Sequence, residues 1–445
     1  MASPSFVTRD DVLSWGRVHR RPQQVAAPRF CDEFAALLDN RGASSSRLAI
    51  GMRRSYGDSC LNSDGAMIDM SGLDRFIAFD EATGTLRAEA GVPLSQILAF
   101  AVPRGWFLPT TPGTRFVSLG GAIANDVHGK NHHQAGSFGC HVKSFDLLRS
   151  DASSCVVTKE NEAGLFAATI GGLGLTGVIE WAEIRLEKIG SAYLDVETIP
   201  YVGLDEFWAI TEESVEKFEH TVSWIDCSAR GAKFGRGIFS RANWREDGVF
   251  TPHNDDTWKN IPFDAPALLL NQYSVASFNE VYFRANKAKA GISHQHYAAF
   301  FYPLDAILNW NRLYGQRGMF QYQCVIPPDN ARAAIAALLN EITRSGQASF
   351  LAVLKTFGDR QSPGLLSFPR PGATLALDFP NRGSETLRLL SRLDAIVGHA
   401  GGALYPAKDG RLSAEMFRRS FPRWCEFLEY KDPGMNSDFW RRVAE

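Results

Sequence analysis

At 445 residues the chain is longer than one ordinary hydrophobic core organises, so two domains are expected. Its 45% hydrophobic and 22% charged residues fit a globular protein, and a formal charge of −2 excludes the basic surface that binds nucleic acid by counterion release. No run of eighteen apolar residues appears, no cationic-then-apolar leader opens "MASPSFVTRDDVLSWGRVHRRPQ", and the seven cysteines are scattered without a CxxC pair; a cytoplasmic protein with reduced thiols is expected, with a peripheral membrane contact left open.

Short strands and glycine turns open the chain. "RLAI" (47–50) is an apolar strand running into the turn "GMRRSYGDS" (51–59). Residues 66–70 and 75–79 alternate as strands do, and 85–90 make another after the turn "EATG". "PLSQILAFAVPRG" (93–105) predicts a helix with Pro93 near its first turn and Gly105 closing it. "FDLLRS" and "SCVVTKE" predict a hairpin, "EAGLFAATI" a short helix, and "GVIEWAEIRLEKI" a long strand. A boundary is expected near Gly190. Beyond it strands and helices alternate: "SVASFNEVYFRANK", "AAFFYPLDAILNWNRLYG" and "MFQYQCVIP" are followed by the amphipathic helix "NARAAIAALLNEITRSG" and the strands "FLAVLKTFG" and "ATLALDFP". The expectation is an α+β region over 191–400 with a mainly antiparallel sheet. The segment 401–445 begins with "GGALYPAKDG", ends in a helix "AEMFRRSFPRWCEFLEY", and is expected to return to the first domain, 1–190.

The stretch "GGAIANDVHGKNHHQAGSFG" (120–139) combines glycines with His128, Lys130, His132 and His133. A zinc site built on the spacing of His128 and His132 needs a regular helix; Gly129 and Asn131 break it and no nearby Cys or Glu completes a ligand set, so no metal is expected. A GxGxxG occurs at Gly172, Gly174 and Gly177, but a helix precedes it and a strand follows. A nicotinamide fingerprint needs the reverse order, and the reading is rejected. The remaining reading is a cradle. The turn 51–59 can aim successive N–H groups at a pyrophosphate, and the loop from Gly113 to Gly129 can bring backbone against a planar ring.

Several segments carry a resemblance: "SWGR" (14–17), "RSYGDSCLN" (54–62), "PGTRFVSLGGAIANDVHGKNHHQAGSFG" (112–139), "GGLGLTGVIE" (171–180), "WIDC" (224–227), "NWNRLYG" (309–315), "QYQ" (321–323), "LALDFP" (375–380) and "LYPAKDGR" (404–411). Along nearly its whole length the chain resembles the flavoproteins of the vanillyl-alcohol oxidase and p-cresol methylhydroxylase family, and within it the oxidases of prenyl-phosphoryl ribose, the flavin half of an epimerase pair in arabinan precursor synthesis. The resemblance implies a two-domain α+β fold of the PCMH type: an FAD domain made from both chain ends (1–190 and 401–445) and a substrate domain (191–400). It places the pyrophosphate against Gly51, Arg53, Arg54, Ser55, Tyr56, Gly57, Asp58 and Ser59, and the flavin against Gly113, Ser118, Gly120, Gly121, Asn125, His128, Ile179 and Tyr405. Many relatives attach FAD through a histidine of the first loop; here that region reads Arg54–Ser55–Tyr56, so non-covalent FAD is expected.

The implied reaction is oxidation of a secondary alcohol of a pentose to a ketone, with the hydride going to the flavin. Lys408 leads the candidates for handling the hydroxyl proton, as base or as orienting charge, with His128 and Tyr56 beside it. Lys130, Asn311, Gln321, Gln323, Lys355 and Ala376 are the candidate substrate residues. Amides and lysines suit a polyol and a phosphate, and Gln321 and Gln323 share a strand face by the two-residue period. Ala376 stands where those oxidases carry a reactive cysteine. The expected substrate is a small or lipid-linked sugar, and the expected partner an NAD-dependent short-chain reductase that returns the keto product as the epimer. Alternatives are a soluble sugar-alcohol or aldonolactone oxidase, a non-catalytic flavin-binding subunit and, more distantly, a metal hydrolase.

Overall fold

Alternating apolar strands early in the chain form two small sheets in the computed structural model, which describes residues 4–39, 46–254, 259–266 and 269–445. In the first, Val7–Arg9, Gln23–Ala26, Ala66–Asp69 and Arg47–Ile50 lie side by side, the last three parallel. The second is antiparallel, in the order Phe76–Asp80, Thr85–Glu89, Val178–Arg185, Val142–Leu148, Ser154–Thr158. Its inward residues Leu86, Ala88, Phe145, Leu147, Val178 and Ala182 meet Ile97 and Leu98 of the helix Leu94–Ala101 in one core. That helix is shorter than predicted: it tightens into a single 3-10 turn at Val102–Arg104 before Gly105 closes it at φ 77°. The rejected GxGxxG is a turn between the helix Ala163–Thr169 and the strand Val178–Arg185. It closes on the helix Leu119–Ala124, with the N–H of Leu173 donating to Ala124 O at 2.8 Å.

The middle of the chain builds an eight-stranded sheet. Its order is Gly291–His296, Tyr193–Tyr201, Gly237–Trp244, His220–Ile225, Ala352–Phe357, Gly372–Pro380, Met319–Ile326, Ala403–Leu404, antiparallel throughout. One face of three adjacent strands buries Tyr322, Cys324, Leu354, Leu375, Leu377 and Phe379 against the helices Pro328–Ser345 and Ser384–His399, which bring Ile335, Leu338, Leu389 and Leu393. Each such side chain contributes roughly 1.5–3 kcal/mol by leaving water. The two-residue period then forces Gln321, Gln323, Lys355, Thr374, Ala376 and Asp378 onto the opposite face. Among the described residues no helix is long and apolar enough to cross a membrane.

After Leu404 the chain leaves this sheet and runs back to the first strands. Tyr56 N–H donates to Ala407 O at 2.8 Å, Ser150 N–H donates to the Asp432 carboxylate at 2.8 Å, and Arg47 N–H donates to Gly434 O at 2.8 Å. The single helix predicted over 414–430 is instead two, Ala414–Ser420 and Trp424–Leu428. Pro422 is the cause: its ring disfavours helical geometry at the preceding residue, and Phe421 sits at φ −130°, ψ 75°. The last helix, Asp438–Ala444, packs beside the turn 51–59.

Candidate active site

The turn 51–59 has the form of an anion cradle. Of the backbone N–H groups between Met52 and Ser59, among the described residues, that of Tyr56 alone is given a partner within the chain. The Ser59 hydroxyl is buried without a partner. A partly buried turn with so many unspent donors fits the pyrophosphate of FAD, which needs acceptors matched and no bulk in the way. Gly51 and Gly57 remove that bulk: a Cβ on Gly51 would strike the Ser118 side chain, and one on Gly57 the Asp409 carbonyl. Asp58 belongs to this turn through its backbone. Its carboxylate is taken by Arg442, whose guanidinium also pairs with Asp409 (2.7 and 2.9 Å). Arg442→Ala strands two buried carboxylates without their cation. It is expected to weaken FAD retention by about tenfold or more, read as flavin lost on gel filtration.

The second loop meets the first although some sixty residues separate them. Arg54 lies 4.0 Å over the Trp15 ring and donates to Phe116 O at 3.2 Å, fixing the two loops together. Ser118 caps the helix Leu119–Ala124, accepting from Gly121 N–H at 3.2 Å. Gly120 lies against Ala90, and a Cβ at Gly113 would meet nothing within 4 Å, which leaves room against that glycine for a flat ring. Arg53 adopts φ 52° in the first turn. Ile179 is buried on its strand, and the Tyr405 hydroxyl donates to Asn125 O at 2.8 Å while its ring stacks on Phe368. The small residues of this loop and the Tyr405 ring would together suit a flat isoalloxazine. No histidine stands at positions 54–56. Acid precipitation is therefore expected to leave a colourless pellet and a yellow supernatant.

The reaction chamber is where this loop faces the open side of the large sheet. His128 sits among Phe357, Phe368 and Tyr405, with ring centroids 4.9 to 5.8 Å away. Gln323 donates to its Nε2 at 3.0 Å, which assigns the ring proton to Nδ1, a buried atom with no partner. Lys355 donates to Gly129 O at 2.7 Å. Lys130 donates to Phe300 O and lies 4.3 Å over that ring. Gln321 donates to Asp378 at 2.6 Å and reaches the Tyr56 phenol. Ala376 is paired with Gln323 on one side and Val353 on the other. Lys408 is tethered by two backbone bonds, Lys408 N–H to Tyr405 O and Tyr405 N–H to Gln323 O, and its ammonium lies 4.0 Å over the Tyr56 ring.

Burial sets the charges. It pushes the Lys130 and Lys355 amines down to about 7, Lys355 further so because Lys130 and Lys408 are near. Lys408 is lowered by burial and held up by the Asp378 carboxylate; Asp378 is raised by burial, opposed by its bond from Gln321 and by Lys408. His128 is held neutral by burial and by the neighbouring lysines, and burial raises the Tyr56 phenol well above its ordinary value. The chamber thus holds amines that release protons near neutrality and one carboxyl able to answer them.

The structure brings Lys408, Tyr56, His128, Gln321, Gln323, Lys355 and Ala376 together. It gives Asn311 a different partner: its amide donates to Trp15 O at 2.9 Å and ties down the turn after Ser14. His132 packs with its ring centroid 4.4 Å from that of Phe357, tilted by 43°, and His133 bonds Phe218 O. Among the described residues no group of three or more His, Cys, Asp or Glu side chains is placed to hold a metal ion. Asp378 was missed. Its signal was present in "LALDFP", two residues past Ala376 and so on the same face.

Comparison with known proteins agrees with this geometry. The FAD binding domain family model matches residues 22–158. The chain is 35% identical over 468 aligned residues to the decaprenylphosphoryl-beta-D-ribose oxidase of Mycolicibacterium smegmatis, an alignment spanning 100% of this chain and 99% of that protein. More distant matches cover only part: 26% identity over 172 residues to the Delta(24)-sterol reductase of Homo sapiens (38% of this chain, 33% of that one), and 21% over 211 residues to the D-lactate dehydrogenase of Anaerostipes hadrus (45% and 43%). The chain is an FAD-dependent oxidoreductase of the PCMH-type fold and belongs to the decaprenylphosphoryl-β-D-ribose oxidase family.

Proposed function

We propose that the chain oxidises a secondary carbinol of a ribose unit carried on a prenyl phosphate, giving the keto sugar that an NAD-dependent short-chain reductase then returns as the epimer. The observation that carries this reading is Lys408: a buried amine of lowered pKa, seated on Tyr56 beside Asp378, where the cofactor loops meet the polar sheet face. Bound FAD supplies the acceptor for the hydrogen and electron pair that leave carbon. The remaining proton leaves oxygen, because an alkoxide is too costly to form unaided. The neutral Lys408 amine takes it. The ammonium that results is stabilised by the Tyr56 ring face and by the Asp378 carboxylate. Gln321 and Gln323 orient sugar hydroxyls, the unpartnered Nδ1–H of His128 donates to one, and Lys130 and Lys355 face the phosphodiester, whose charge draws both amines back to their protonated form. The two buried amines Lys130 and Lys355 favour a phosphorylated pentose over a free polyol. The reading places the enzyme in the cytoplasm, at the membrane surface where a lipid-linked sugar is held.

The test is anaerobic titration of the holoenzyme with a prenyl-phosphoryl ribose, followed by the flavin's visible absorbance. Stoichiometric bleaching is expected. Bleaching by free sugar alcohols or aldonolactones instead would make the chain a soluble polyol oxidase; no bleaching by any of them would make it a non-catalytic flavin subunit.

A further inference from the structure

The proton that Lys408 takes must leave the chamber before the amine can act again. The carboxyl beside it, Asp378, is 1% exposed. Its Oδ1 accepts from Gln321 at 2.6 Å, and its Oδ2 is buried without a partner among the described residues. The hydroxyl of Tyr314, a residue 5% exposed, is in the same condition. That ring is stacked 5.7 Å from Phe350 and shares a cluster with Tyr56. A buried oxygen left without a hydrogen bond is costly, so two of them beside one cavity point to a group that answers both.

Asp378 and Tyr314 line that cavity together. It leaves about 10 Å³ for the centre of a water, which is room for one molecule. Val275, Ala348 and Phe350 wall it, and Asn271, Gln347 and Arg382 complete its polar lining. The Gln347 amide is already engaged, accepting from the Thr386 hydroxyl at 3.1 Å and donating to Glu385 O at 3.3 Å. Asn271 is exposed and the Arg382 side chain is 32% exposed, so the lining passes from a fully buried carboxyl to groups in contact with solvent. Arg382 lies 3.6 Å from Glu385, so its charge is answered and does not repel a proton arriving there.

We propose that one water occupies this cavity, bridges Asp378 and the Tyr314 hydroxyl, and carries the proton from Lys408 out to solvent, an inference that rests on the function proposed above. The water donates to Oδ2 and accepts from the Tyr314 O–H, so the phenol is a positioning residue that aims it at the carboxyl. In the step itself an N–H bond of the Lys408 ammonium breaks and an O–H bond forms on Asp378. Asp378 then passes that proton to the water, which releases one of its own to solvent beside Asn271. The amine is left neutral, the carboxylate is restored, and no electrons move between groups. Burial raises the carboxyl and lowers the amine, which brings the two toward each other and lets the proton cross at small cost.

Two variants of the holoenzyme test it: Tyr314→Phe removes the hydroxyl, and Ala348→Val fills the cavity. Retained flavin verifies the fold of each. In anaerobic, weakly buffered stopped flow, a prenyl-phosphoryl ribose bleaches the flavin while a pH-indicator dye reports the proton reaching solvent. In the wild type the proton is expected to follow bleaching without lag. In both variants bleaching is expected to keep its rate and the proton to appear about tenfold later. Release absent from the wild type, release in step with bleaching in either variant, or bleaching slowed as much as release overturns the route and leaves the oxidase reading standing. The melting temperature of Tyr314→Phe needs no substrate. It is expected to fall, because the water loses a partner; no change, or the rise expected on deleting a hydroxyl buried dry, overturns the water. Failure of the wild type to bleach overturns the oxidase reading and the proton's route with it, while the melting temperature still decides whether the cavity is wet.

Discussion

Lys408→Ala is expected to slow anaerobic flavin reduction by about a thousandfold while FAD stays bound. The figure is the middle of the range that a positioned general base contributes, roughly 10²–10⁴. Two features make the loss clean. The Lys408 ammonium lies over the Tyr56 ring, and its truncation leaves the backbone bond to Tyr405, the unspent N–H groups of 52–59 and the Arg442 clamp in place. Truncation removes the ammonium that holds the Asp378 carboxyl down; burial then raises that carboxyl further and it takes up a proton, so no uncompensated charge is left behind. The measurement is stopped-flow reduction with a prenyl-phosphoryl ribose beside a flavin-to-protein absorbance ratio. A variant that reduces flavin at near wild-type rate would take Lys408 out of the mechanism, and one that loses FAD would make it structural. Tyr56→Phe, which keeps the ring under the ammonium, is expected to cost far less than Lys408→Ala.

The parts of this site that were legible in the sequence are those encoded locally. Turn glycines beside a short strand announced the cradle at 51–59, and the reversed order of helix and strand around Gly172 excluded a nicotinamide fingerprint. The two-residue period placed Gln321 and Gln323 on one face, and the antiparallel register of 319–326 with 372–380 realises it. Pro422 carried the break in the C-terminal helix, a local signal in the sequence. What stayed illegible depends on pairings across hundreds of residues. Nothing near Asn311 says that its amide meets Trp15, and nothing near Asp58 says that its carboxylate is answered by Arg442. The cavity beside Asp378 and Tyr314 likewise exists only once the helix Gln272–Lys287 is laid beside Phe350.

Asp378→Asn tests whether the carboxyl acts on Lys408 or only fills space. Asparagine keeps the shape and the capacity to accept from Gln321, so the face of the sheet need not rearrange. It removes the negative charge. The sign follows from the causes acting on Lys408: burial lowers its pKa and Asp378 raises it, so without the carboxylate the amine falls further. Lys408 must be neutral to take the proton, and activity therefore rises with pH through its pKa. In Asp378→Asn this acidic limb is expected to move to lower pH. The plateau is expected to fall on the order of tenfold, because a weaker base gains less by taking the proton. A filler role predicts the opposite pair, an unmoved limb with lost stability. Asp378→Glu, which restores the charge one methylene further out, is expected to return the limb toward its wild-type position even where packing keeps the rate low. The pH profile thus separates the carboxylate's charge from its volume, which no single-pH rate can do.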